Sequence, residues 1–539
     1  MGQKLFYNGN ILTMAEVMTE SAVLTENGRI LFVGSFSMAK ELAAEDAEMI
    51  DLQGKTMLPG FIDGHSHITA FANTLALVNL NGAKSFDEML CRIEGFIAEN
   101  KPEKGQWIMG FGYDHNFFAE GRHPDRFVLD KLGDDYCIAI THASGHMGVL
   151  NSRALSEAGV NAETKDIQGG VIGRIEGSTE PNGYLEEAAF MTLGAGKMPA
   201  PEAAQLVRLM AKAQDIYFSY GITTIQDGMT KEKEWQMLEL FSKSGQMKAD
   251  MVAYVDIKDH AGMVETYEKY VDKYDNHLKI GGYKLFLDGS PQGRTAWMSA
   301  PYQSLEDSEK PEASGYCGYP IYTDAQVEVF METAVTAGHQ ILVHCNGDAA
   351  AEQMLRAYKK ALNKHRDSKP VRPVMVHAQL ARADQLKEMA EVGMLASFFI
   401  AHTYYWGDIH LKNFGRDRAQ KISSARTAQK EGVVYTFHQD TPVILPDMLE
   451  TIWCAVNRKT REGIVLGEEE KISVTDALKA VTINAAYQYF EEDEKGSIEA
   501  GKKADFVILD KNPLEVPKES LRDIHVVETI KDGETVFRA

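Results

Sequence analysis

The chain has no CxxC pair and no dense group of thiols. Its five cysteines, Cys91, Cys137, Cys317, Cys345 and Cys454, are scattered over 539 residues. An odd, dispersed set excludes a disulfide framework and a thiolate metal cluster, and fits buried free thiols in a reducing cytoplasm. No run of about 18 apolar residues occurs, so no transmembrane helix is expected. The start, MGQKLFYNGN, lacks a signal-peptide core, and Phe6 breaks the myristoylation pattern that Gly2 opens. Positive charge is short: 56 Lys and Arg stand against 78 Asp and Glu, a net charge of −22. That excludes non-specific nucleic-acid binding and attachment to anionic membranes. The stretch GGVIGRIEG does not sit at a strand-to-helix turn with a partner acid, so it is not a dinucleotide site.

What remains is an ordinary globular composition, 44% hydrophobic and 25% charged. The length predicts two or more domains. Both ends read as short strands: KLFYNGNILTM and AVLTENGRILFVG near the start, ADFVILD and HVVETIKDGETVF near the end, with Asn-Gly and Asp-Gly turn signals. One small β domain from residues 1–56 and 490–539 is expected. In the middle, eight apolar runs of strand length (57–63, 221–228, 250–256, 281–289, 340–345, 373–378, 394–400 and 433–440) alternate with helical patterns. TDAQVEVFMETAVTAG and ARADQLKEMAEVG both end at Gly, a helix stop. The expected fold class is α/β, a (β/α)₈ TIM-like barrel over 57–489, with an open doubly wound sheet as the rival. The interval after the first run is far too long for one crossover, so a subdomain is inserted at about 71–215.

The first run ends in His65 and His67. On a strand, residues i and i+2 share a face. By itself such a pair is more often chance than a metal site. Other runs also end in potential ligands: His344, His377 and Asp440, with Lys284 inside an apolar strand. In a (β/α)₈ barrel these positions meet over one mouth, where packing alone does not explain them. A buried Lys284 must lose or pair its charge. It either pairs with a carboxylate such as Asp288 or, as a neutral amine, takes up carbon dioxide to give a bridging carbamate.

The motifs PGFIDGHSHI, THASGHMGVLNS, YKLFLDGSPQGRTA, VHCNGDAA, VHAQ, HQDTPV and GSIEAGKKADFVILDKNP occur in this order along nearly the whole chain. On them the chain resembles the amidohydrolase superfamily, in the branch that includes N-substituted formamide deformylases. The resemblance implies a metal-dependent hydrolase with a barrel and a small β-sandwich. It implies His65, His67, Lys284, His344, His377 and Asp440 as metal ligands, with Lys284 at the bridging position and Asp440 as the catalytic acid–base. His142 and His146, four apart around Gly145, and Arg294 become candidate substrate-binding residues. Two departures stand out: Val376, where an acid often precedes the histidine, and His438-Gln439, where small residues usually precede the Asp. Trp107, Phe111 and Tyr113 line an entrance or fill a core.

A ligand set without cysteine selects one or two divalent ions, zinc by default, or iron, manganese or nickel. The expected reaction is hydrolysis of an amide-type C–N bond, in an N-acyl or N-formyl amine, by a metal-activated hydroxide. A one-metal deaminase of a ring C–N bond, which has no need of Lys284, and a non-catalytic binding homologue are the alternatives. The expected partner is a small-molecule substrate; the expected oligomer, if any, is a homodimer.

Overall fold

The run MLPGFID is one apolar stretch in the sequence, but Gly60 divides it between two sheets. The computed structural model describes residues 2–115, 117–142, 147–165, 167, 170–194, 202–303 and 315–539. In it Thr56–Pro59 pairs antiparallel with Phe506–Leu509, whereas Phe61–Ile62 begins a separate parallel sheet. A side chain at Gly60 would stand 2.6 Å from Thr223, so only glycine lets the chain switch sheets there.

The first sheet joins both chain ends. Its ladder runs Glu534–Arg538, Val526–Lys531, Phe506–Leu509, Thr56–Pro59, Gln3–Leu12, Thr19–Glu26, Arg29–Gly34, and Glu48–Asp51 adds to Gln3–Leu12. The turns Asn27-Gly28 and Asp532-Gly533 both adopt positive φ, as tight hairpins require. Phe6, Val23, Met57, Phe506 and Ile530 form its core.

The second sheet holds the eight alternating strands in chain order: β1 (Phe61–Ile62), β2 (Ile222–Thr230), β3 (Asp250–Asp256), β4 (Leu278–Phe286), β5 (Gln340–Cys345), β6 (Val374–His377), β7 (Leu395–Phe398) and β8 (Tyr435–Phe437). All seven neighbouring pairs are parallel. Parallel strands covered on both faces need apolar residues throughout, and β3 is buried at every position. The sheet curls until its ends approach: a Cβ at Gly64 would lie 2.9 Å from the Phe437 carbonyl. No ladder joins β1 to β8 among the described residues.

Helices follow the strands. The segment Asp324–Ala337 starts where Gln326 accepts the Thr323 N–H at 3.0 Å and stops at Gly338 in the left-handed region. Asp348–Lys364 buries Ala350, Met354, Tyr358 and Ala361, one face at helical spacing.

A buried charge network ties the terminal sheet to the start of β3. Asp250 accepts Lys495 at 2.5 Å, Lys503 at 2.9 Å and His277 at 2.9 Å, and lies 3.3 Å from Lys531. Burial alone would raise the Asp250 carboxyl; Lys495 and Lys531 hold it well below the usual range. Such charges are costly to bury unpaired, so they fix the docking of the terminal strands on the second sheet.

Ala72–Leu209 forms a second compact unit. Its six-stranded sheet runs Gly170–Arg174, Pro181–Glu187, Met147–Leu150, Cys137–His142, Trp107–Tyr113, Leu77–Asn79; the last two pairs are parallel. Tyr113 is fully buried in its core with Leu80, Ile108 and Ile140, and Trp107 packs on a second cluster around Leu155 and Phe190. Only Phe111 of the three aromatics faces solvent. Three of the free cysteines are buried, but Cys91 is exposed. No described helix is long and apolar enough to cross a membrane.

Candidate metal centre

His65 and His67 do not lie on a strand. β1 ends at Ile62, and both histidines stand in the loop that follows, their rings 4.9 Å apart and nearly perpendicular. The shared-face argument therefore fails in detail; backbone bonds replace it. His67 N–H donates to the Thr441 carbonyl at 2.8 Å, and Gly228 N–H to Ser66 at 2.7 Å. Gly228 also makes room: a Cβ there would stand 2.3 Å from the His65 ring.

The remaining candidates arrive from the C-terminal ends of their strands. Lys284 lies in β4, His344 in β5 and His377 at the last position of β6. Asp440 follows β8 by three residues. His377 and Asp440 both have left-handed backbones, φ 70° and 54°. Non-glycine residues seldom adopt that conformation, and where they do the surrounding structure holds them for a purpose.

The side chains converge. Asp440 Oδ1 lies 3.3 Å from His67 Nε2 and 3.5 Å from His65 Nε2, and Oδ2 lies 4.0 Å from His377 Nε2. Lys284 Nζ is 3.1 Å from His65 Nε2, and His344 Nδ1 is 3.0 Å from His377 Nε2. His65, His377 and Asp440 form the tightest group, with donor atoms within 4.8 Å of one another.

The outer hydrogen bonds decide which nitrogens face inward. The Gln226 amide donates to the Gly64 carbonyl at 3.0 Å, so its oxygen accepts from His65 Nδ1 at 2.5 Å. His65 Nε2 thus carries a lone pair into the site. His344 Nε2 lies 2.9 Å from Asn346 Nδ2 and 3.3 Å from the Gly289 carbonyl, and its Nδ1 faces His377. His377 Nδ1 lies 3.2 Å from His438 Nε2, and His438 Nδ1 lies 2.8 Å from Ser397 Oγ.

Electrostatics agree. Burial, reinforced by Lys284, pushes His65 well below its usual value and His344 down to about 4; burial and His344 depress His377, and burial takes His438 to about 3. Four neutral imidazoles surround one carboxylate. Burial works against ionising Asp440, but its contact with His67, together with the neighbouring His377 and His65, outweighs burial and holds the carboxyl well below the usual range. Burial also brings Lys284 down to about 7.

These residues suit a divalent ion. Asp440 Oδ1 is buried, and the nearest nitrogens, His67 Nε2 and His65 Nε2, stand 3.3 Å and 3.5 Å away, long for good hydrogen bonds. Nitrogen and oxygen donors with no sulfur match zinc and its neighbours in chemistry. The tightest group takes His377 with His65 and Asp440.

Lys284 does not pair with Asp288. That carboxylate accepts the backbone N–H groups of Trp297, Asn346 and Gly347 at 2.7–2.9 Å and lies 3.6 Å from His344. Arg294 sits over the Tyr302 ring and donates to the Gln303 carbonyl at 2.9 Å. His142 belongs to the inserted unit, where it neighbours Asp114, His115 and Tyr113; His146 lies outside the described residues. Gln226, Ser397 and Tyr489, which accepts from Gln226 at 2.7 Å, escaped sequence reasoning. A glutamine or serine inside an apolar strand was the only available signal.

Residues 48–537 match the model of the amidohydrolase family. An N-substituted formamide deformylase of Arthrobacter pascens is 28% identical over 99% of this chain and 98% of its own. A putative amidohydrolase of Bacillus subtilis, YtcJ, is 26% identical over 99% of both. The crystal structure of an uncharacterized metal-dependent hydrolase from Pyrococcus furiosus superposes with a TM-score of 0.75 at 26% identity, covering 95% of this chain and all of that one. The chain belongs to the amidohydrolase family. It is an enzyme of the metal-dependent hydrolase class.

Proposed function

We propose that this enzyme hydrolyses an amide-type C–N bond, as in an N-acyl or N-formyl amine, at the C-terminal ends of the parallel strands. We read the curled sheet as a (β/α)₈ barrel, whose active sites lie at that face. The observation that carries the proposal is the set of imidazoles gathered about one ionised carboxylate, Asp440. The name of the Arthrobacter pascens relative supports the substrate class.

His65, His67, Lys284, His344, His377 and Asp440 would hold one or two zinc-class ions. The ions supply Lewis acidity, which polarises a carbonyl and acidifies a water. The chain's own residues do the rest. Asp440 is ionised at neutral pH and partly open to solvent, so it accepts the proton of the attacking water. Water oxygen adds to the carbonyl carbon, the C–N bond breaks, and Asp440 returns the proton to the leaving nitrogen. Lys284 at about 7 supplies a neutral amine; attack on carbon dioxide with loss of a proton gives a carbamate with two oxygens.

The test is a screen of N-formyl and N-acyl amines, with metal content measured on the same sample. Amine release that follows metal content supports the reading. Release of ammonia from a ring, with one ion per chain and an unmodified Lys284, would replace it with a deaminase.

A further inference from the structure

The inserted unit contains a second group of metal-type donors, remote in sequence from the first. The strands Trp107–Tyr113 and Cys137–His142 lie side by side and parallel, with Tyr113 in register with His142. Asp114 and His115 follow the first strand directly, and His142 ends the second. In open parallel sheets ligands bind beyond the carboxyl ends of the strands.

Three atoms meet there. His115 Nδ1 and His142 Nε2 are 3.3 Å apart, and Asp114 Oδ1 lies 3.8 Å from the first and 3.6 Å from the second. Tetrahedral zinc with bonds of about 2.0–2.1 Å sets its donors about 3.3 Å apart, the edge of that tetrahedron. Both contacts to the carboxylate oxygen are too long for good hydrogen bonds, and the imidazole pair is long as well. The three donor atoms at these separations could share one ion between them.

The His123 ring stacks on His115 with centroids 3.8 Å apart, and Tyr113 Oη lies 3.1 Å from His123 Nδ1. Tyr113 is itself anchored in the unit's core. The stack thus holds the His115 ring from one side.

We infer that Asp114, His115 and His142 bind a divalent transition ion of the zinc class, with a donor set that shares no residue with the one around Asp440. Three donors among the described residues leave a coordination position for water or another ligand.

The experiment uses the full chain, stripped with a chelator and titrated with zinc against a chromophoric competitor. The wild type should bind one equivalent more than His115→Gln or Asp114→Asn. Both substitutions are at partly exposed positions, keep side-chain size and remove a donor. The double variant His65→Ala/His67→Ala should lose zinc from the other site but retain this equivalent. Adding His115→Gln to it should remove that equivalent as well. Failure of the first site alone would show in the His65/His67 variant, so the two readings fall separately. If either single variant unfolds, zinc-dependent protection of His142 from diethylpyrocarbonate in the wild type replaces it, with protection expected. Equal zinc stoichiometry in wild type and folded His115→Gln, or no protection of His142, would overturn the inference.

Discussion

His438 is the residue through which the orientation of His377 can be tested. It is fully buried, with Nε2 3.2 Å from His377 Nδ1 and Nδ1 2.8 Å from Ser397 Oγ. For His377 to face the site with Nε2 bare, Nδ1 must carry the proton and give it to an acceptor. His438 Nε2 is that acceptor, and its own Nδ1–H passes on to Ser397. His438→Phe keeps a ring of similar size and removes the acceptor. A buried N–H is then left unpaired, at a cost of about 1–3 kcal/mol. Losing the partner of a metal-binding histidine typically weakens metal affinity about 10–100-fold, or ~1.4–2.7 kcal/mol. Competitive zinc titration of the stripped protein, with thermal unfolding of metal-free samples alongside, reads both quantities. His438→Gln, whose amide oxygen can accept, should recover part of the affinity. Unchanged affinity in His438→Phe, with an unchanged melting temperature, would refute the proposed tautomers and the role of His377 Nε2.

Asp440→Asn keeps the shape but cannot take a proton, so kcat should fall by at least ~10²; unchanged kcat would assign the base to another group. Lys284→Ala should lose an ion and most activity, with partial rescue by a small carboxylic acid; electron density showing a bare amine between bound ions would defeat the carbamate. Stability should fall in acid through His410, which burial pushes down to about 3 from 6.5. Below pH 6.5 the unfolded chain takes up a proton that folded His410 refuses, so stability is full above 6.5 and declines towards pH 3. By pH 4 the loss from this group approaches about 3 kcal/mol, at 1.36 kcal/mol per unit. Urea unfolding of His410→Gln should show a smaller drop between pH 7 and pH 4 than the wild type; an equal drop would sink the assignment.

Much of the architecture is local information. Each of the eight strands falls inside or across an apolar run, because burial on both faces demands one. The Asn-Gly and Asp-Gly turns and the glycine stop at Gly338 follow from backbone sterics carried by single residues. The candidate ligands were legible because polar groups at the ends of apolar runs have no packing reason to be there. The tertiary structure decided what depends on distance across the chain. It placed His65 and His67 in a loop held by Thr441 and Gly228, hundreds of residues away in one case. It denied Lys284 the Asp288 partner, because backbone N–H groups from the β5 turn already claim that carboxylate. It revealed Gln226, His438 and Ser397 as the groups that set imidazole tautomers. It also brought Asp114 and His115 beside His142, for the two stretches are unrelated in sequence and only strand pairing makes them neighbours. A hydrogen bond is specified by two positions at once, and sequence periodicity reports one position at a time.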